Sequence, residues 1–187
     1  MNFQIKRIDE VLQDYSQIKE LYEESFPKNE RFPFNYLISQ SKKENINFDI
    51  IYEEEKLIGI SYIIVEGDFA FILYFAVNNK YRGNGYGTKI INYIKEKYNK
   101  YTILLEIEEI VTNSVNYEQR LKRKSFYERN GFYTIKGILK EGKNRFELMS
   151  SNKEAIVNEK LFKAIFKNMF NGIGKFFVNF YIRFKNI

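Results

Sequence analysis

The 187-residue chain has no cysteine and no histidine. The first absence excludes disulfides, thiolate nucleophiles and cysteine-ligated zinc, and it suits a cytoplasmic setting. The second removes the usual general base near neutral pH and the commonest metal ligand. Acid–base chemistry therefore falls to Glu, Asp, Tyr, Lys or water, and no metal site is expected. No uncharged apolar run reaches the ~18 residues a membrane-crossing helix needs. The opening "NFQIKRIDE" alternates and carries charge, unlike a signal peptide. The length suits one domain with an appendage.

What is present can build a core: 44% of residues are hydrophobic and 18% aromatic. The net charge of +6 is unevenly placed. Beyond Ser150 stand Lys153, Lys160, Lys163, Lys167, Lys175, Arg183 and Lys185 against Glu154 and Glu159, so the last 37 residues hold +5 of it. A basic nucleic-acid-binding surface over the whole protein is not indicated, and no nucleic-acid partner is expected.

Periodicity predicts a mixed α+β domain over residues 1–150. "FQIKRI" (3–8) alternates as a strand. "DYSQIKELYEESF" (14–26) has helical spacing and is stopped by Pro27, and a second short helix starts near Pro33. Strands near 47–53, 57–65 and 69–77 form a meander. A helix runs from about Gly87 to Asn99, then a buried strand over 101–109. Another helix runs from about Asn116 to a stop at Asn130-Gly131, and a hairpin of "FYTIKGIL" and "NRFELMS" closes the domain. The order is β α α β β β α β α β β, a mixed sheet with one parallel crossover around 69–107.

Between the third meander strand and the next helix lies "NNKYRGNGYGTK", with Gly83, Gly85 and Gly87 alternating. Backbone N–H groups at a helix N-terminus form an anion site, and glycine lets a diphosphate approach the main chain. Lys80 and Arg82 suit such a ligand. A Walker A loop is excluded, because Gly87 is followed by Thr88-Lys89 in the wrong order. The dinucleotide fingerprint needs G-x-G-x-x-G directly after a first strand. Here the spacing is G-x-G-x-G after a meander, although Glu106 lies about 20 residues on, as that fingerprint asks.

The remaining pattern, R-x-x-G-x-G at Arg82, Gly85 and Gly87, resembles the acetyl-CoA pyrophosphate loop of the GNAT superfamily of acyltransferases. "LYFAVNNKYRGNGYGTKII" matches its hydrophobic strand, loop and helix, and "SFYERNGF" (125–132) resembles its second signature. The resemblance implies the GNAT acyl-CoA N-acyltransferase fold, acetyl-CoA as cosubstrate, and direct attack of a primary amine on the thioester. It implies that main-chain groups of Phe75, Ala76 and Val77 meet the pantetheine arm, with the Val77 amide facing the developing oxyanion. It also implies that Arg82, Gly83, Asn84, Gly85, Tyr86, Gly87 and Thr88 hold the pyrophosphate, and that Tyr127 protonates the departing thiolate.

Glu106 and Glu108 share one face of their strand, so either can take the amine proton, directly or through water. Glu109 points the other way. Arg120, Arg123, Lys124 and Tyr127 share a helix face, where an arginine can pair with Glu106 or Glu108 or hold an acceptor carboxylate. Glu30 and Arg31 fall where the family's variable acceptor loops occur. The acceptor amine is a small molecule or a peptide. The rival reading is a non-catalytic CoA-binding or membrane-tethered regulatory module of the same fold.

The tail from Ser151 spaces Leu161, Phe162, Ile165, Phe166, Met169 and Phe170 as a helical stripe, followed by Phe176, Phe177, Phe180, Tyr181 and Phe184. It reads as one or two basic amphipathic helices added to the domain. Packing on the domain or a homodimer is preferred for it over a membrane surface.

Overall fold

The computed structural model describes residues 3–172 and 174–185. All eleven elements expected over residues 1–150 are present in the expected order. They are β1 (Phe3–Arg7), α1 (Tyr15–Ser25), α2 (Phe34–Gln40), β2 (Ile46–Glu53), β3 (Lys56–Glu66), β4 (Phe69–Val77), α3 (Tyr86–Lys97), β5 (Thr102–Glu108), α4 (Tyr117–Arg129), β6 (Tyr133–Glu141) and β7 (Asn144–Ser150). Three more follow: α5 (Glu159–Met169), α6 (Gly174–Tyr181) and β8 (Ile182–Lys185). The chain forms two compact units, residues 1–64 with 72–94, and residues 65–71 with 95–187.

In the first unit the strand order is β1-β2-β3-β4. β1 pairs antiparallel with β2 in the register Phe3↔Glu53 to Arg7↔Asp49, and β2 pairs antiparallel with β3 with a register shift at Ile51/Tyr52. The helices bury their apolar stripes here: Ile18, Leu21 and Tyr22 of α1, Phe34 and Leu37 of α2, Ile90, Ile91 and Ile94 of α3. An aromatic cluster joins them to the strands, with Tyr22 edge-on to Tyr74 at 5.0 Å and Phe48 edge-on to Tyr62 at 5.2 Å. Such pairs add about 0.5–1.5 kcal/mol each beyond the area they bury. Gly59 of β3 has no room for a side chain, since a Cβ there would stand 2.5 Å from the Ala76 carbonyl oxygen of β4.

In the second unit the order is β5-β7-β6-β8, all antiparallel. The tail differs from the purely helical reading. Its last described residues form an edge strand, with Ile182↔Glu141 to Lys185↔Ile138 paired to β6. The alternation that makes β8 a strand spans only four residues, too short to separate from the helical stripe before it. α5 is capped by Asn158, whose side-chain oxygen accepts from the Leu161 N–H at 2.9 Å. It buries Phe162, Ile165, Phe166 and Met169, and Phe71 lies against both phenylalanines. At about 1.5–3 kcal/mol per fully buried side chain, this stripe is a substantial part of the unit's core. No helix among the described residues is long and apolar enough to cross a membrane.

Candidate active site

The glycine loop of the first unit is built by its neighbours. Asn78 ends β4 and organises the turn: its N–H donates to the Ile58 carbonyl (2.8 Å), its Nδ2 to the Leu57 carbonyl (3.1 Å), and its Oδ1 accepts from the Lys80 N–H (3.1 Å). Arg82 then folds back, its Nε donating to the Val77 carbonyl at 3.1 Å. Gly83 and Gly85 have φ of +83° and +77°, which a side chain disfavours. A Cβ at either would meet no atom within 4 Å, so this face of the loop is open.

The first hydrogen bond of α3 runs from the Lys89 N–H to the Gly85 carbonyl at 3.2 Å. The N–H groups of Tyr86, Gly87 and Thr88 therefore have no intrahelical acceptor. They stand at the positive end of a 12-residue helix. Arg82, Gly83, Asn84, Gly85 and Thr88 are exposed. Tyr86 is different: its ring is buried between Phe3 and Tyr81, its hydroxyl donates to Glu53, and only its backbone faces the loop. In β4, Phe75 and Val77 are partly exposed and Ala76 is buried. The loop suits a phosphate group, offering free amides, an open backbone and a neighbouring guanidinium.

The segment with Glu30 and Arg31 is held from the same strand. The Tyr74 hydroxyl donates to the Glu30 carbonyl (2.7 Å) and accepts from the Phe32 N–H (3.1 Å), while the Tyr22 hydroxyl donates to the Phe32 carbonyl (3.0 Å). Arg31 bends toward α1, donating to the Glu23 carbonyl at 3.1 Å. It lines an open groove with Lys19, Glu20, Glu23 and Glu24. Sequence reading passed over Tyr74 and Asn78. A tyrosine inside an apolar strand and an asparagine directly after it were the available signals.

In the second unit β5 and α4 bring the remaining candidates together. Glu106 and Glu108 lie on alternate residues of β5, opposite Leu148 and Phe146 of β7, and both are partly buried. Arg123 of α4 forms an ion pair with Glu108. Lys124 reaches Glu147 at 2.7 Å. Glu109 turns to Arg145, which donates to both its oxygens at 2.5 and 2.8 Å, and this pairing holds its carboxyl below the usual range. Arg120 is occupied by its own loop, donating to Asn116 Oδ1 at 2.8 Å and to the Glu109 carbonyl.

Tyr127, one turn on from Arg123, is 8% exposed and packs edge-on against Phe126 at 5.2 Å and Phe132 at 5.7 Å. Burial pushes its phenol up to about 12, partly offset by the Arg123 charge. The turn behind it is closed by the Phe132 N–H to the Tyr127 carbonyl at 3.0 Å. Among the described residues no group of three acidic side chains is placed to hold a metal ion.

The order of elements and the strand–loop–helix with an open glycine backbone define the fold of the acyl-CoA N-acyltransferases. The family model described as "Acetyltransferase (GNAT) domain" matches residues 44–134 of this chain, a span that includes the glycine loop and Tyr127. A GNAT-family protein from Bacteroides thetaiotaomicron superposes with a TM-score of 0.70 at 24% identity, over 83% of this chain and 89% of its own. An aminoglycoside 6′-N-acetyltransferase solved with coenzyme A gives 0.62 at 15% identity, over 80% and 96%. Naa50 of Arabidopsis thaliana, solved with a bisubstrate analogue joining CoA to a peptide, gives 0.57 at 18%, over 81% and 99%. No curated protein matches the chain by sequence.

Proposed function

We propose that the protein is an acetyl-CoA-dependent N-acetyltransferase acting on a primary amine of a small molecule or peptide. The observation that carries this reading is the open backbone at Gly83 and Gly85 leading into free amides at the start of α3. Acetyl-CoA supplies an activated acetyl thioester, and the CoA-bound and bisubstrate-bound neighbours support it as the ligand. Amides from Gly83 to Thr88 hold its pyrophosphate, with Arg82 adding charge and the main chain of Phe75, Ala76 and Val77 receiving the pantetheine arm. In the overall reaction the acceptor nitrogen forms the new C–N bond, the C–S bond breaks, and the amine loses one proton.

Glu106 is assigned as the base, directly or through water. Glu108 is neutralised by Arg123 and is assigned to hold that arginine beside Tyr127. Tyr127 is assigned to the leaving thiolate. A phenol near 12 faces a thiol near 8.5, so full proton transfer runs uphill. Tyr127 therefore acts as a hydrogen-bond donor to sulfur, and the proton arrives later from solvent. Arg31 and the segment around Glu30 line the acceptor side.

Two measurements test the reading. Acetyl-CoA should raise the melting temperature, by an amount equivalent to about 2.7 kcal/mol at a hundredfold excess over Kd. A thiol-release screen across aminoglycosides, polyamines and peptide α-amines should then find turnover with at least one class. Stabilisation without turnover on any amine would leave a non-catalytic CoA-binding module. No stabilisation would remove the reading altogether.

A further inference from the structure

α5 and α6 carry the same kind of sequence, yet α6 turns its aromatics outward. Phe176, Phe177 and Phe180 are 58%, 60% and 63% exposed, and Tyr181 is 43% exposed. The three phenylalanine rings form one patch, with centroids 5.2 Å apart for Phe176–Phe180 and 6.0 Å for Phe176–Phe177. The helix is firmly seated on its other side. Val178 and Ile182 are buried, the Gly142 N–H donates to the Tyr181 carbonyl at 2.9 Å, and the Phe184 N–H donates to Glu159 at 3.0 Å. The patch is thus presented outward by a fixed scaffold.

Charge identifies what covers it. From Lys160 to the end the chain has six cations and no acidic side chain. Lys160, Lys167, Lys175 and Lys185 form no ion pair among the described residues, and Lys175 stands on α6 beside Phe176. A second copy of the chain fits poorly. A two-fold interface sets the same cations against each other, and three rings exposed to this degree offer roughly 350 Å² where a stable interface needs about 800 Å² per partner. An anionic lipid surface meets both features, because aromatic rings enter the headgroup boundary while lysines face phosphate and carboxylate groups.

We propose that α6 is an interfacial anchor that docks the protein on anionic lipid bilayers through Phe176, Phe177 and Phe180, assisted by Lys175 on the same helix and by the net positive charge of the tail. The docking is reversible and independent of acetyl transfer. The test is sedimentation of the full-length protein with phosphatidylcholine vesicles, with and without phosphatidylserine, beside light scattering of the free protein. The expected result is binding to the anionic vesicles, little to the neutral ones, and release at high salt. Phe176→Ser with Phe180→Ser should weaken it by about tenfold or more, and Lys175→Gln with Lys185→Gln by about fivefold per charge. Both double variants should keep the parent melting temperature and acetyl-CoA response. Absence of binding, equal binding to neutral vesicles, or binding untouched by the phenylalanine changes overturns the proposal. So does a dimer that the phenylalanine changes convert to monomer, which would make the occupant a second copy.

Discussion

The loop at residues 82–88 and the β5–α4 cluster illustrate opposite ways of building function. The loop presents main-chain groups, and its side chains are mostly turned away or absent: Tyr86 is buried against Phe3 and Tyr81, and Gly83 and Gly85 have no neighbour where a Cβ would stand. The cluster works with side chains, and nearly every one is already engaged, as in Arg123 with Glu108, Lys124 with Glu147 and Arg145 with Glu109. A site made of backbone stays open because its donors cannot be satisfied internally. A cluster made of charges has its members mostly paired off, and beside them stands a buried phenol whose ionisation is pushed up to about 12.

Tyr127→Phe should show the largest effect. It removes one hydroxyl from a buried ring and keeps the packing against Phe126 and Phe132. Turnover should fall by about ten- to a thousandfold, while thermal stabilisation by acetyl-CoA persists. Lost stabilisation with turnover per bound site intact would move Tyr127 from the chemistry to binding. With the phenol near 12, this residue should contribute no ionisation to the rate profile between about pH 6 and 10.

Two glycine changes come next and separate binding from folding. At Gly85 an alanine pays only the strain of φ +77°, about 1–2 kcal/mol, and meets no protein atom. Its methyl group would occupy the open face, so affinity for CoA should fall by about tenfold or more, read by titration calorimetry. At Gly59 an alanine would stand 2.5 Å from the Ala76 carbonyl. Gly59→Ala should therefore lower the melting temperature, by the equivalent of about 1–3 kcal/mol. Equal losses of affinity in the two variants would mean that the loop's openness is not what binds the ligand.

The same contrast explains what could be read before the structure. The open turn was legible because it depends on spacing: glycines alternate between a strand and a helix, and Gly83 and Gly85 have the positive φ such a turn needs. The eleven elements through β7 were legible because their apolar periods are long. Side-chain partners were legible only as alternatives: an arginine of α4 was expected to pair with Glu106 or Glu108, and Arg123 pairs with Glu108. The shared face of Arg123 with Tyr127 and of Glu106 with Glu108 narrowed the choices, but the Arg123–Glu108 pair depends on how α4 lies against β5. The tail shows the limit most clearly. Phe162 and Phe176 both sit in aromatic stripes, yet one is buried and the other 58% exposed. Nothing local distinguishes them, because burial is decided by which face the rest of the unit leaves bare.

The smallest effect expected concerns an acid with no part in the proposed reaction. Glu109 accepts two hydrogen bonds from Arg145, which holds its carboxyl below the ordinary value. A carboxyl depressed in the folded state contributes stability that is present above its unfolded value of about 4.3 and is lost as pH falls through the folded one. Arg145 is 44% exposed, so the pair is screened by solvent and adds little to stability. Arg145→Gln should thus lower the melting temperature slightly at pH 7. The difference from the parent should shrink as the carboxyl takes up its proton in acid, and turnover should be unchanged at neutral pH. A loss of turnover with Arg145→Gln, or a stability gap that grows in acid, would mean that the paired acids at the end of β5 do more than hold β5 to β7.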